Sequence, residues 1–210
     1  MLVDTGLCWE RFQLQPELEA KHPMGCAGIL LTHGHCDHAG NAAWAKRHWK
    51  APCFAHESEA SFLETRRTYV PTGGRALSLK GAMFAGGEWV YPVERFTLDG
   101  YLREGDALET PAGRWRVLHT PGHTPGHISF FREADGALLS GDALLNIIPF
   151  QGRNGLSIPA PLFNSNTAQV FQSARRLVAL KPRILLPGHG PPIANQTAAR
   201  LQNYVATLRF

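Results

Sequence analysis

No apolar run in this 210-residue chain approaches the roughly 20 residues that a membrane span needs, so no transmembrane helix is expected. Asp4 and Glu10 fall where a signal peptide would need its apolar core, and no leader is expected either. Cysteine is scarce: Cys8, Cys26, Cys36 and Cys53 show no CxxC spacing and no disulfide-scaffold density, which points to a reducing, cytoplasmic setting. Charged residues make up only 18%, the formal net charge is +4, and no Lys/Arg block runs for five positions. A nucleic-acid footprint is therefore not indicated. There is no Gly-x-Ser-x-Gly elbow, no glycine-rich phosphate loop and no dinucleotide fingerprint, and neither repeats nor low-complexity segments interrupt the chain. At 44% hydrophobic residues, residues 1–210 are long enough to bury a sizeable core and read as a single domain.

Against these absences stands a concentration of metal-type side chains. The segment Thr32-His33-Gly34-His35-Cys36-Asp37-His38-Ala39-Gly40 follows directly on the apolar run Gly28-Ile29-Leu30-Leu31. Neutral imidazoles supply nitrogen ligands and a carboxylate supplies oxygen, a set suited to zinc or iron. A second, dispersed group has the same logic. His123 lies in Thr120-Pro121-Gly122-His123, Asp142 in Ser140-Gly141-Asp142, and His189 in Pro187-Gly188-His189-Gly190. Each follows a short apolar stretch that reads as a buried strand, and each is flanked by glycine, which lets the backbone turn sharply or approach an ion closely. His33, His35, Asp37, His38, His123, Asp142 and His189 offer more donors than one tetrahedral ion uses, which suggests two ions.

With its HxHxDH, PGH, GD and GHG motifs in this order, the sequence resembles the metallo-β-lactamase-fold hydrolase superfamily, in its hydroxyacylglutathione hydrolase and lactonase-like branch. The resemblance runs from Val3-Asp4-Thr5-Gly6 to the helix after Gly190. It implies a four-layer αββα sandwich of α/β (α+β) class and two divalent metal ions, zinc first, with manganese or iron as options. By the same resemblance His33, His35 and His123 hold one ion, Asp37, His38 and His189 the other, and Asp142 bridges them. Asp4 matches a carboxylate that braces the ligand loop; read alone, it is also an ordinary strand-end turn residue. The usual N-terminal strands are missing before Asp4. Either self-association covering that edge, as a homo-oligomer, or a natural start upstream of Met1 is expected to account for this.

Two adjacent ions imply attack by a metal-bound hydroxide on a small thioester, lactone or ester, with Asp37 relaying a proton and Asp142 at the bridge. The expected partner is a small-molecule substrate, with neither nucleic acid nor membrane. A phosphodiesterase or nuclease of the same fold and an iron-dependent persulfide dioxygenase are the alternatives. Cys36 reads as a spacer within the motif, with a ligand or redox role as the other option. Residues 68–96 and 143–163 show no clean period yet are rich in bulky apolar residues. They read as substrate-pocket loops carrying Phe84, Trp89 and Phe150, or alternatively as part of the core.

The coarse pattern predicts strands at 1–5, 26–32 and 52–56. Helices are predicted at 10–21, 37–49 and 57–67, and short strands across 96–118. A hairpin at 128–132 and 137–140, a helix at 166–180, a strand at 184–186 and a closing helix at 196–208 complete the series.

Overall fold

The computed structural model describes residues 1–21, 23, 25–65 and 93–208; the stretch with Phe84 and Trp89 lies outside them. Two compact units divide the chain, Met1–Leu102 and Arg103–Phe210. The first is built on a parallel four-stranded sheet in chain order: β1 (Leu2–Val3), β2 (Ile29–Leu30), β3 (Cys53–Ala55) and β4 (Gly100–Tyr101). Because all four strands run the same way, their C-terminal ends share one edge. Asp4 leaves β1 there, Thr32 and His33 leave β2, and His56 leaves β3. Helices α1 (Arg11–Lys21), α2 (Cys36–Ala39), α3 (Ala42–Trp49) and α4 (Glu57–Thr65) make the connections. Ile29, Leu31, Cys53 and Ala55 pack with Ala39, Ala42, Ala45, Phe62 and Leu63 in one core.

The continuous helix expected over 37–49 is broken. Thr5 is the cause: its backbone N–H and its hydroxyl both donate to the His38 carbonyl, and its Oγ1 accepts from the Asn41 N–H. Those groups are lost to the helical ladder. The Asn41 amide then donates to the Thr5 and Leu7 carbonyls, fastening the chain after β1 over the break. Gly40 permits this approach, since a Cβ there would meet the Gly6 oxygen and the Cys8 nitrogen at 2.7 Å. The ligand-bearing turn is thereby a separate four-residue helix rather than the start of a longer one.

The second unit carries a five-stranded sheet, β5 (Ala107–Thr110), β6 (Gly113–His119), β7 (Ile128–Arg132), β8 (Ala137–Gly141) and β9 (Ile184–Pro187). Pairing is antiparallel through β8 and parallel between β8 and β9. Strands β6, β8 and β9 therefore run in one direction, and the segments with His123, Asp142 and His189 leave from the same end of the sheet. Helices α5 (Thr167–Ala179) and α6 (Thr197–Thr207) cover it: Ala174, Leu177, Val178 and Leu201 pack on Leu118, Leu138 and Leu185. Asn166 caps α5, its side chain accepting from the Gln169 N–H at 3.2 Å. No described helix is long and apolar enough to cross a membrane.

Candidate metal centre

In the first unit the carboxylate of Asp4 organises the ligand turn. Its Oδ1 accepts from the Thr32 N–H at 2.8 Å, and its Oδ2 accepts from the Thr32 hydroxyl at 2.8 Å. The same Oδ2 lies 2.7 Å from His38 Nδ1. Asp4 adopts φ 58°, in the left-handed region that asparagine and aspartate tolerate best among residues with a side chain. The proton positions follow from donor chemistry. A carboxylate only accepts, so His38 carries its proton on Nδ1 and turns a bare Nε2 outward. The Thr32 hydroxyl has spent its one proton on Asp4, so at 3.0 Å from His33 Nδ1 it accepts, and His33 too presents a bare Nε2. That nitrogen lies 3.1 Å from His35 Nδ1, with His38 Nε2 3.9 Å from Asp37 Oδ2.

Two ligand atoms about 2.0–2.1 Å from a tetrahedral ion stand roughly 3.3–3.4 Å apart. The separation of the His33 and His35 nitrogens is near that edge, which is compatible with both binding one ion.

The second unit supplies the other three side chains. Asp142 Oδ2 stands 3.5 Å from His123 Nε2 and 3.5 Å from His189 Nε2, one oxygen between two imidazoles. Again the spacing matches neighbouring ligands of an ion. His127 is fully buried, and its Nε2 accepts from the Asp142 N–H at 2.9 Å. Its proton is therefore on Nδ1, 2.8 Å from the Thr120 hydroxyl, which is 3.0 Å from the Ser129 hydroxyl. Asn146 fastens the last ligand from both sides: its backbone N–H donates to the His189 carbonyl and its amide to the Pro191 carbonyl.

Several residues of the site were not singled out by the sequence. Glu59 is fully buried in the first turn of α4, and its Oε2 accepts from the N–H of Gly34, between His33 and His35, at 2.7 Å. Nothing in an Ala-His-Glu-Ser-Glu stretch announces that contact, which spans 25 positions. Thr32, Asn41, Asn146 and Asn164 are of the same kind. Burial pushes the Cys36 thiol up to about 11, with the Asp37 carboxylate adding to it, so the side chain within the motif is a neutral thiol at ordinary pH. His56 is buried, and its Nδ1 accepts from the Ser58 N–H. Phe150 is 78% exposed and stacks on Phe163 with ring centroids 5.7 Å apart. Residues 143–163 hold two isolated bridges, Leu145 with Ser157 and Ile148 with Arg153, and a 3₁₀ turn at Pro161–Phe163.

Comparison with known proteins agrees with this geometry. The family described as the Metallo-beta-lactamase superfamily matches residues 1–189. A probable metallo-hydrolase of Bacillus subtilis strain 168, YflN, is 28% identical over 93% of this chain and 77% of the relative. The hydroxyacylglutathione hydrolase GloC of Haemophilus influenzae is 30% identical over 60% of this chain and 51% of the relative. Among solved structures, a metallo-beta-lactamase family protein of Thermus thermophilus superposes with a TM-score of 0.72 at 28% identity, covering 97% of this chain and 69% of that one. TTHA1623, solved in a di-iron-bound form, superposes with a TM-score of 0.64 at 28% identity over 95% of this chain and 86% of that one.

Proposed function

Since the chain belongs to the metallo-beta-lactamase superfamily and is a metal-dependent hydrolase, we propose that it hydrolyses a small thioester, lactone or ester with two divalent metal ions, zinc by preference. In this reading His33, His35 and His123 hold one ion, Asp37, His38 and His189 hold the other, and Asp142 serves both. The observation that carries it is the single Asp142 oxygen placed 3.5 Å from each of two imidazole nitrogens. The ligand atoms of His123 and His189 fall in separate close groups, so an oxygen beside both suits a bridge better than a ligand to one ion. The di-iron form of TTHA1623 supports room for two ions in this fold, and the relative named as a hydroxyacylglutathione hydrolase supports the thioester class. The four cysteines, none of them disulfide-bonded among the described residues, support a reducing compartment.

When bound, the ions supply a Lewis acid for the scissile carbonyl and water activated at neutral pH. The protein's own side chains do the rest. Asp4 and Thr32 hold His38 and His33 in the tautomer that leaves Nε2 free, and Glu59 fixes the peptide that separates His33 from His35. Asp37, half-buried beside His38, accepts and returns a proton during turnover. Phe150 and Phe163 offer an apolar wall for the acyl group.

Elemental analysis of purified protein is expected to give two transition-metal ions per chain. His189→Ala should lose one of them preferentially, and Asp142→Ala should weaken both. One tightly held ion, unchanged by His189→Ala at saturating metal, would overturn the dinuclear assignment. An ester, thioester, lactone and phosphodiester panel on metal-loaded protein, run in an oxygen electrode, tests the reaction class. Oxygen uptake without hydrolysis would assign the chain to persulfide oxidation instead, and turnover of phosphodiesters alone would assign it to phosphoester chemistry.

A further inference from the structure

In the second unit, the Nδ1 of His123 faces a buried amide. Asn164 Oδ1 lies 3.2 Å away, and Asn164 is 2% exposed. The orientation of that amide follows from a second contact. Asn164 Nδ2 donates to the Pro159 carbonyl at 3.1 Å, and a carbonyl can only accept. The NH₂ end therefore points to Pro159 and the oxygen to His123. An oxygen there accepts, so His123 carries its proton on Nδ1 and presents Nε2 bare to Asp142 Oδ2. Which nitrogen carries the proton is decided by the bond the other one makes.

The backbone around this pair is tied so that the contact does not depend on one side chain alone. The Ser165 N–H donates to the His123 carbonyl at 3.0 Å, the Asn166 N–H to the Gly122 carbonyl at 2.8 Å, and the Ser165 hydroxyl to the same carbonyl at 2.9 Å. The 3₁₀ turn Pro161–Phe163 delivers Asn164 directly into this seam, and Asn166 then starts α5.

We propose that Asn164 is a positioning residue for His123: its side-chain oxygen holds the imidazole in the Nδ1–H tautomer and in the plane that a metal ion requires. The tautomer claim stands on the hydrogen bonds alone, and the metal claim rests on the dinuclear reading above.

Two measurements test the two claims separately. In metal-free protein, imidazole ¹⁵N shifts should report His123 as the Nδ1–H tautomer. A neutral Nε2–H tautomer, with Nδ1 unprotonated, overturns the proposal whatever the metal content. The second measurement compares N164D with N164L by chelator competition in protein that holds two ions as wild type. Both variants lose the donor to Pro159, but only N164D keeps an acceptor for Nδ1–H. Removing an outer-shell partner of a ligating histidine weakens metal binding by about 10–100-fold. N164L is expected to lose one ion by that factor, while N164D stays at the wild-type level or tightens. If the two variants fall together, or if neither falls, Asn164 is only a brace for its loop. Wild-type protein that holds fewer than two ions would sink the dinuclear reading, while the ¹⁵N result would still decide the tautomer.

Discussion

At the scale of single residues, the candidate ligands are oriented by the groups behind them. Asp4 serves His38 and Thr32, and Thr32 in turn serves His33, so one carboxylate sets two imidazoles. His127 serves Asp142 through its backbone N–H rather than its side chain. Replacing it with leucine keeps roughly the volume but leaves that buried N–H and the Thr120 hydroxyl short of a partner. A buried group left this way costs about 1–3 kcal/mol. Thermal unfolding of metal-free His127→Leu should show a Tm lowered by several degrees. Unchanged Tm would mean that His127 is replaceable packing.

At the scale of elements, the strand ends and the turns that follow them decide where ligands go. Gly122 sits in one of the tightest of these turns. It adopts φ 132°, and a Cβ there would lie 2.3 Å from the Val170 nitrogen, in the first turn of α5. Gly122→Ala is therefore expected to cost at least about 1–3 kcal/mol in backbone conformation, with the clash added, and to move His123 with it. A loss of stability with metal affinity intact would contradict the second half of that expectation. A different property belongs to β3, where burial pushes the Cys53 thiol up to about 12. An unfolded cysteine ionises near 8.5, so above that pH the unfolded chain releases a proton that the native chain retains, and stability falls as pH rises. Denaturant titrations of wild type and Cys53→Ala at pH 8 and at pH 10.5 check this. The stability difference should shift in favour of the variant at the higher pH.

At the scale of the whole molecule, each unit has its own sheet, its own core and its own group of ligand-type side chains. Binding to the native state alone stabilises it by about 4 kcal/mol at a thousandfold excess over Kd. Chelation should therefore lower Tm and raise hydrogen exchange in the Thr32–Gly40 turn and in the Pro121–His127 turn together. Protection lost in only one of the two turns would argue that the ions are not shared. Under the proposed function, the segment after Asp142 contributes to substrate choice. Phe150→Ala should reduce kcat/KM for long acyl chains more than for short ones while metal content stays constant. Equal efficiency on both would remove Phe150 from substrate recognition.

Much of this was legible in the sequence. Ligand-type side chains are rare residue types in clusters, so the candidates His33, His35, Asp37, His38, His123, Asp142 and His189 stand out without any structure. The alternation of strand and helix follows from local apolar patterning, and the fold class follows from both. The tertiary structure alone decided the rest. The helix over 37–49 breaks because Thr5, more than thirty positions away, takes its hydrogen bonds. Glu59, Asn146 and Asn164 join the site through contacts of 25, 43 and 41 positions. Glutamate and asparagine are common surface residues, and their sequence neighbours do not reveal which buried N–H or imidazole they will meet. A ligand is marked by its own chemistry, whereas a residue that orients a ligand is marked only by where the fold puts it.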